Sequence, residues 1–314
     1  MKEIKVNFID FWGGFNPESN FIIDTLRKEY KVIISNEPDY LFCSTFGLSH
    51  LRYRCVKIQF IGENISPDFN AYDYAIGFDH LTYGDRYLRL PLYLVSENFA
   101  QFPKQKMVIP SELLNRKFCS IVVSNSKLAD PMRERFFQLL SKYKQVDSGG
   151  RLWNNVGGPV ADKLSFIKQY KFNIAFENSR VAGYTTEKIM DPMVVNSLPI
   201  YWGNPLVGAD FNPKSFVNVH DFNSIEDAVD YVVELDKYDD LYIEKMSEPW
   251  LVSQDAFDWQ KRLGDFLTAI IEKPQKCARY VVDYGMMKLY RNQLRLVEIF
   301  GNKLKMSRLM DLLD

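Results

Sequence analysis

Two cations sit where helical physics opposes them. Lys188 falls in the first turn of a segment whose helical spacing starts near Thr185, and Arg133 falls in the first turn of another that opens with Asp130 and Pro131. A helix N-terminus carries partial positive charge and unpaired N–H groups, so a lysine or arginine there works against the dipole. An anion lying between the cation and those N–H groups turns the conflict into a clamp, and phosphate is the common one. Lys188 also has a more ordinary reading, an ammonium that simply reaches water. Glu187 beside it suits the dipole without any ligand. Together the pair could hold a sugar hydroxyl and a phosphate, as a nucleotide requires. Glu63 is a third candidate, in the turn Gly62-Glu63-Asn64 that follows an apolar run. A proton-accepting carboxylate and a turn-stabilising residue are equally at home there. The three histidines, His50, His80 and His220, lie far apart and no nucleophile elbow occurs, which excludes a Ser/His/Asp hydrolase.

The elements that position these groups follow the alternating strand and helix pattern of a Rossmann-like sheet. Residues 4–9, 31–35, 40–43, 56–61 and 74–78 read as strands, and 20–30 as a helix. Residues 60–93 carry Glu63, and in them Arg86 and Arg89 are better suited to salt bridges than to ligands. The Gly13-Gly14 pair reads as a plain turn, because the third glycine of a dinucleotide fingerprint is missing. Residues 93–114 lose periodicity and collect prolines and lysines, the composition of a connection between domains. A second set begins at the strand 118–123, ending at Ser124-Asn125, and continues with the helix after Asp130. Residues 146–159 form a Gly/Asn-rich loop around Trp153 that should stay mobile until substrate arrives. Residues 172–203 then make a strand, loop, helix and strand of the βαβ kind, with polar residues massed at the carboxyl end of the first strand, where ligands bind in such sheets. Pro192 inside that helix should bend its first turn or delay its start. Further on, Ser224 with Asp227 opens another helix as a capping box.

The runs FENS, GYTTEK and PIYWG, at 176–179, 183–188 and 199–203, resemble the donor-binding signature of the α-1,3/1,4-fucosyltransferases. The resemblance is dense over about thirty positions, and it extends to the Glu-Asn turn at Glu63. It implies an α/β fold of two Rossmann-like domains facing each other across a cleft, of GT-B type. Residues 1–112 would bind the acceptor, 113–285 would bind GDP-fucose, and 286–314 would be a basic amphipathic tail. Glu63 would be the general base of an inverting transfer. Arg133, rather than Arg135, and Lys188 would meet the diphosphate, Glu187 the ribose and Tyr184 the guanine. Asn178, Ser124 and Asn125 would line the donor pocket, and Trp12, Trp153 and Asp73 would contact the acceptor. The implied acceptor is an N-acetyllactosamine-type oligosaccharide or lipopolysaccharide, with a Lewis x type product. A transferase for another nucleotide sugar, or a nucleotide-sugar or glycan-binding protein without turnover, would share much of this constellation.

Composition sets the remaining bounds. At 314 residues the chain has room for two domains. Thirty-nine basic residues against forty acidic leave a net charge of −1, which excludes the electrostatic footprint of a nucleic-acid binder. Cys43, Cys55, Cys119 and Cys277 have no paired spacing, so a zinc or redox motif is not expected and a reducing compartment is. No Asp-x-Asp occurs, so no metal is required by motif, a divalent ion would at most stimulate, and cationic side chains must meet a departing diphosphate. No run approaches the ~20 apolar residues of a spanning helix. The expectation is therefore a bacterial-type cytoplasmic enzyme. Its tail, with six Lys/Arg against three acids, either rests on the inner face of the membrane or docks on the protein itself.

Overall fold

The computed structural model describes residues 1–124, 129–273 and 285–301. Asn125 and the tail beyond residue 301 lie outside these residues. The chain divides into two compact units, each built on one all-parallel sheet.

The first unit holds β1 (Lys2–Ile9), β2 (Tyr30–Ile34), β3 (Tyr40–Cys43), β4 (Val56–Phe60), β5 (Tyr74–Gly77) and β6 (Tyr87–Arg89) in the order β2-β1-β3-β4-β5-β6. Parallel strands are covered on both faces, which is why Tyr40–Cys43 and Val56–Phe60 are buried at every position. Helix α1 (Phe21–Leu26) follows β1, with the Asn20 side chain accepting from Ile22 N and Ile23 N. It is shorter than its spacing suggests because Tyr30 already belongs to β2.

The second unit opens with residues expected to connect domains. Tyr93, Leu94, Phe99 and Phe102 are buried, and Asn98 donates at 2.9 Å to Asp191 of the helix at 187–194, so this stretch packs on that helix within the second unit. Then come α2 (Pro110–Leu114), β7 (Lys117–Ile121), α3 (Met132–Ser141), β8 (Val146–Ser148), α4 (Lys163–Ile167), β9 (Tyr170–Phe176), α5 (Glu187–Val194), β10 (Leu198–Trp202), β11 (Val217–Asn218), α6 (Ile225–Lys237) and α7 (Asp239–Ser247). The strand order is β11-β10-β9-β7-β8. The chain leaves β7 for β8 on one side and returns to β9 on the other. The carboxyl ends of β7 and β9 therefore form a topological switch point, as those of β1 and β3 do in the first unit.

Helix α8 (Trp259–Ile271) belongs to the first unit from Gln260 onward. Leu263, Leu267, Ile270 and Ile271 are buried, Tyr40 Oη donates to Ile271 O at 3.2 Å, and Lys2 pairs with Glu272 at 3.0 Å. Helix α9 (Gly285–Gly301) also groups there. The units are thus Met1–Gly77 with Leu81–Arg89 and the described residues after Gln260, against Phe78–His80 with Leu90–Trp259. A single cut near residue 112 does not reproduce them, because contacts rather than composition decide where a segment packs.

At the first unit's switch point the chain turns through Asp10, at φ +57°. Its buried carboxylate accepts from Ser49 N and His50 N, both at 3.0 Å, and meets His50 Nδ1 at 2.9 Å. The Tyr72 hydroxyl lies 3.2 Å from that ring. Residue 47 has no room for a side chain, since a Cβ there would fall 2.5 Å from Asp10 Oδ1. Burial pushes the Asp10 carboxyl up, but the hydrogen bonds from His50 and the two backbone amides outweigh it and leave the group below its ordinary value. A carboxyl depressed by folding contributes stability above its unfolded pKa, and that stability is lost as pH falls through the folded one. Asp10→Asn should therefore cost about 1–3 kcal/mol near neutral pH, and the gap to the unsubstituted protein should narrow below pH ~4. Thermal unfolding of both proteins across an acid series measures it, and a gap independent of pH would show that the charge contributes nothing.

Candidate active site

Strand β9 runs into Glu177, whose N–H still donates to Trp202 O at 2.9 Å, so the ladder carries this residue into the interior. Its carboxylate is fully buried. Thr186, the N-cap of α5, donates to it from the backbone at 2.8 Å and from the hydroxyl, which lies 3.0 and 2.8 Å from the two oxygens. Lys188 folds back onto the same group. Its Nζ is 3.5 Å from Glu177 Oε2, 3.2 Å from Glu187 Oε1 and 3.2 Å from Thr186 Oγ1, and the side chain is only 24% exposed. The ammonium therefore answers a carboxylate and does not reach freely into water. Burial opposes its charge, but Glu177 and Glu187 outweigh burial and hold it above the ordinary lysine value. Glu187 is likewise disfavoured by burial and held down to about 2 by Lys188 and by Lys163, whose Nζ is 3.9 Å away. Lys163 in turn pairs with Asp191 at 2.6 Å.

Arg133, the second residue of α3, is 3% exposed. Its Nη2 donates to Phe176 O at 3.0 Å and to Asn178 Oδ1 at 2.6 Å, while Nε has no hydrogen-bond partner among the described residues. Asp130 N donates to Asn178 O at 2.8 Å, tying the loop after β9 to the start of α3. The Asp130 carboxylate accepts from Met132 N at 2.9 Å, but the N-cap position is held by Pro131, so α3 starts one residue later than the sequence suggests. Both cations thus converge on residues 176–178 at the carboxyl end of β9. Arg135 is exposed and pairs with Glu226 at 2.6 Å. Ser124 is exposed just beyond β7.

The walls of this edge are set by close backbone approaches. Gly203, at φ +152°, lies against Glu177, where a Cβ would fall 2.5 Å from Cγ. His220 Nε2 is 3.2 Å from Gly203 N and 3.1 Å from Gly203 O, and its ring lies over Trp202. Gly183, at φ +85°, leaves 2.7 Å between a would-be Cβ and Phe78 O. Asn204 accepts from Gly183 N at 2.7 Å and donates to Thr185 Oγ1 at 2.8 Å. Tyr184 is buried edge-on against Phe78, so its ring lies behind the surface expected to meet guanine. Pro192 does lie inside α5, but the helix starts at Glu187 and spans eight residues, so only the Lys188 carbonyl loses its donor.

In the first unit Glu63 is exposed, three residues beyond the end of β4, and its carbonyl accepts from Ile65 N at 2.8 Å. Trp12, 41% exposed, borders the same turn, its Cζ3 lying 3.6 Å from where a Gly62 Cβ would sit. The exposed Phe46 packs edge-on to Trp12. Asp73 is elsewhere. It is fully buried at the opposite, amino edge of the sheet, where Oδ2 accepts from Lys57 N at 2.9 Å, and no sugar can reach it. Trp153 stacks on Phe137 at 5.1 Å in a loop held by Asn154 and Asn155, with β8 inside the stretch expected to be mobile. Arg86 donates to the carbonyls of Asp73, Tyr72 and Phe69, and no ion pair of the expected kind is found for it among the described residues. Glu177 was missed by sequence reasoning, although a carboxylate directly after a fully buried strand was the available signal. Among the described residues no group of three or more His, Cys, Asp or Glu side chains is placed to hold a metal ion.

Residues 6–96 match the alpha-(1,3)-fucosyltransferase FucT N-terminal domain, and residues 114–263 match the C-terminal part of glycosyltransferase family 10 (fucosyltransferase). The chain is 34% identical over 317 residues to the alpha-(1,3)-fucosyltransferase FucT of Helicobacter pylori, covering 86% of this chain and 66% of that protein. It is 36% identical over 124 residues to a 3-galactosyl-N-acetylglucosaminide 4-alpha-L-fucosyltransferase of Bos taurus, covering 38% and 33%. It therefore spans just under two thirds of the first relative and a third of the second. Crystal structures of an alpha1,3-fucosyltransferase with GDP-fucose and with GDP superpose with a TM-score of 0.75 at 31% and 32% identity, each covering 88% of this chain and 92% of the other. With two parallel α/β sheets, matched family regions in both units and this degree of identity, the chain belongs to the family 10 fucosyltransferases.

Proposed function

We propose that this protein transfers L-fucose from GDP-fucose, with inversion, to the 3-hydroxyl of N-acetylglucosamine or glucose in a β-galactosyl-terminated acceptor. The observation that carries the reading is the convergence of Arg133 and Lys188 on the carboxyl end of β9, beside the N-terminus of α5. Glu63 takes the proton of the incoming hydroxyl, whose oxygen bonds to the anomeric carbon as the bond to the diphosphate breaks. Negative charge then grows on the departing GDP. The guanidinium of Arg133, the ammonium of Lys188 and the first N–H groups of α5 meet it there. Glu187 accepts from the ribose hydroxyls, Asn178 and Ser124 line the pocket, and Tyr184 backs it from beneath. Trp12 offers an aromatic face to the acceptor sugar beside Glu63. A nucleotide-sugar binder without turnover would keep the cationic edge and have no use for Glu63.

Helix α9 supports a membrane contact, the finer part of this reading. Its polar side docks on the first unit, with Arg295 Nε donating to Leu51 O at 3.2 Å and Glu298 meeting Ser49 Oγ at 3.0 Å and Arg52 at 2.8 Å. Its apolar side, with Leu289, Tyr290, Leu296, Val297 and Phe300, is exposed. A helix docked by its charges and presenting its apolar stripe outward suits a lipid surface. Among the described residues no helix is long and apolar enough to cross a membrane.

Glu63→Gln should lower transfer by about a hundredfold to ten-thousandfold while leaving GDP affinity unchanged. Transfer at the original rate would remove Glu63 from its role, and GDP binding with no transfer in the unsubstituted protein would favour the binder. Lys188→Ala should weaken GDP by roughly tenfold to a hundredfold and leave guanosine binding alone, the difference expected of a charge-assisted phosphate contact. Equal loss of both would mean that it touches no phosphate. Co-sedimentation with phosphatidylcholine vesicles containing phosphatidylglycerol should be lost in Leu296→Asp/Phe300→Asp, and retention by that variant would rule out α9 as the contact.

A further inference from the structure

The charges linked around the end of β9 already balance. Three cations, Arg133, Lys188 and Lys163, stand against three carboxylates, Glu177, Glu187 and Asp191. Lys188 touches Glu177 and Glu187, and Lys163 touches Glu187 and Asp191. Arg133 lies in the field of Glu177 without an ion pair to it among the described residues. A diphosphate brought to this edge adds negative charge to a neutral set, in a place where burial weakens solvent screening. Something must therefore give, and Glu177 is the group built to do so. It is fully buried between α3 and α5, and the charged or titratable groups facing it are Arg133 from α3, Lys188 and Glu187 from α5, and Tyr201 from β10. Lys188 is the one among them with both an exposed portion and a direct contact to its carboxylate.

We propose that Glu177 is a positioning residue for the diphosphate: it holds the Lys188 ammonium beside the N-terminus of α5 in the free protein, and takes up a proton from solvent when the diphosphate draws that ammonium away. The balance is simple. One proton passes from buffer to a Glu177 carboxylate oxygen, Lys188 stays charged and changes partner, and the protonated Glu177 donates to Thr186 Oγ1, which lies 2.8–3.0 Å away and has lone pairs to accept. The backbone N–H of Thr186 keeps its acceptor throughout, so the cap of α5 survives the exchange. Burial already sets this carboxyl above its ordinary value even with Lys188 beside it, so losing that counter-charge moves it further in the same direction. Gly203 leaves the room this group occupies, since a Cβ there would fall 2.5 Å from Glu177 Cγ. The inference rests on the reading of this edge as the diphosphate site.

The test is calorimetric titration of the full chain with GDP-fucose, without acceptor, at near-neutral pH in phosphate and in Tris. GDP-fucose is the probe because its diphosphate is esterified at both ends and has no proton of its own to exchange there. Proton uptake makes the observed enthalpy differ between the two buffers, and makes Kd rise with pH by up to about tenfold per unit. In Glu177→Gln, which keeps an acceptor for Thr186, both effects should vanish. Lys188→Ala should lose them too, because its Glu177 has no counter-charge to surrender. Equal enthalpies in both buffers with a flat pH profile, or undiminished uptake in Glu177→Gln, would overturn the inference while leaving the donor site standing. Failure of GDP-fucose to bind at all would overturn the donor reading itself.

Discussion

A single buried carboxylate organises the end of β9. Glu177 is drawn inside because the ladder with β10 continues through its backbone, and its carboxyl group is met there by Thr186 and Lys188. A carboxylate without such partners would neutralise or expel itself from the interior. The N-cap of α5, the direction of Lys188 and the glycine at 203 all follow from accommodating this one group. Removing Glu177 would leave Lys188 with Glu187 alone. It would also leave Thr186 N–H in search of an acceptor, a buried donor that costs about 1–3 kcal/mol when unpaired.

The same economy appears in both units. Each sheet reverses its winding once, and at each reversal the loops at the carboxyl ends present the candidate residues. In the second unit these are the loop after β9 and the start of α3 after β7, which bring Asn178 and Arg133 together. In the first unit they are the turns after β1 and β3, clasped by Asp10 through Ser49 and His50. Trp12 and Phe46 are presented from those clasped turns, and Glu63 from the neighbouring turn after β4. Asp10 is to the first unit what Glu177 is to the second, a buried acceptor that fixes loops which would otherwise sample many conformations.

Much of this was legible in the sequence, and the parts that were not have physical causes. The strands at 4–9, 40–43 and 198–202 are apolar runs bounded by turn residues, and parallel sheets make such runs unmistakable. The edge strands β6 and β8 were missed because three residues at a margin need no apolar run. The stretch after residue 90 looked like a linker from its prolines, yet its aromatics are buried within the second unit, Tyr93 against Phe211 and Phe99 against Phe257, and composition does not reveal which neighbour an aromatic finds. Conflict with the helix dipole pointed to Arg133 and Lys188. Asp73 was offered by the resemblance alone, and its place directly before the strand beginning at Tyr74 already put it at the amino edge, away from the turn that carries Glu63.

The two cations are not equivalent, and the difference explains why one site needs both. Arg133 is nearly sealed, with its fork fixed by Phe176 O and Asn178 Oδ1, and its charge persists under burial because a guanidinium does not release its proton in a protein. It can define where a phosphate oxygen sits, but it has little freedom to move toward one. Lys188 is a point charge on a flexible stem, partly open to solvent and already shared among three oxygens. Exchanging one of those oxygens for a phosphate costs it little geometry. In the proposed transfer a rigid fork and a mobile ammonium at one edge would divide the work, the first fixing position and the second following charge as it shifts from sugar bond to leaving group. Swapping Arg133 for lysine would keep the formal charge and lose the fixed half of that arrangement.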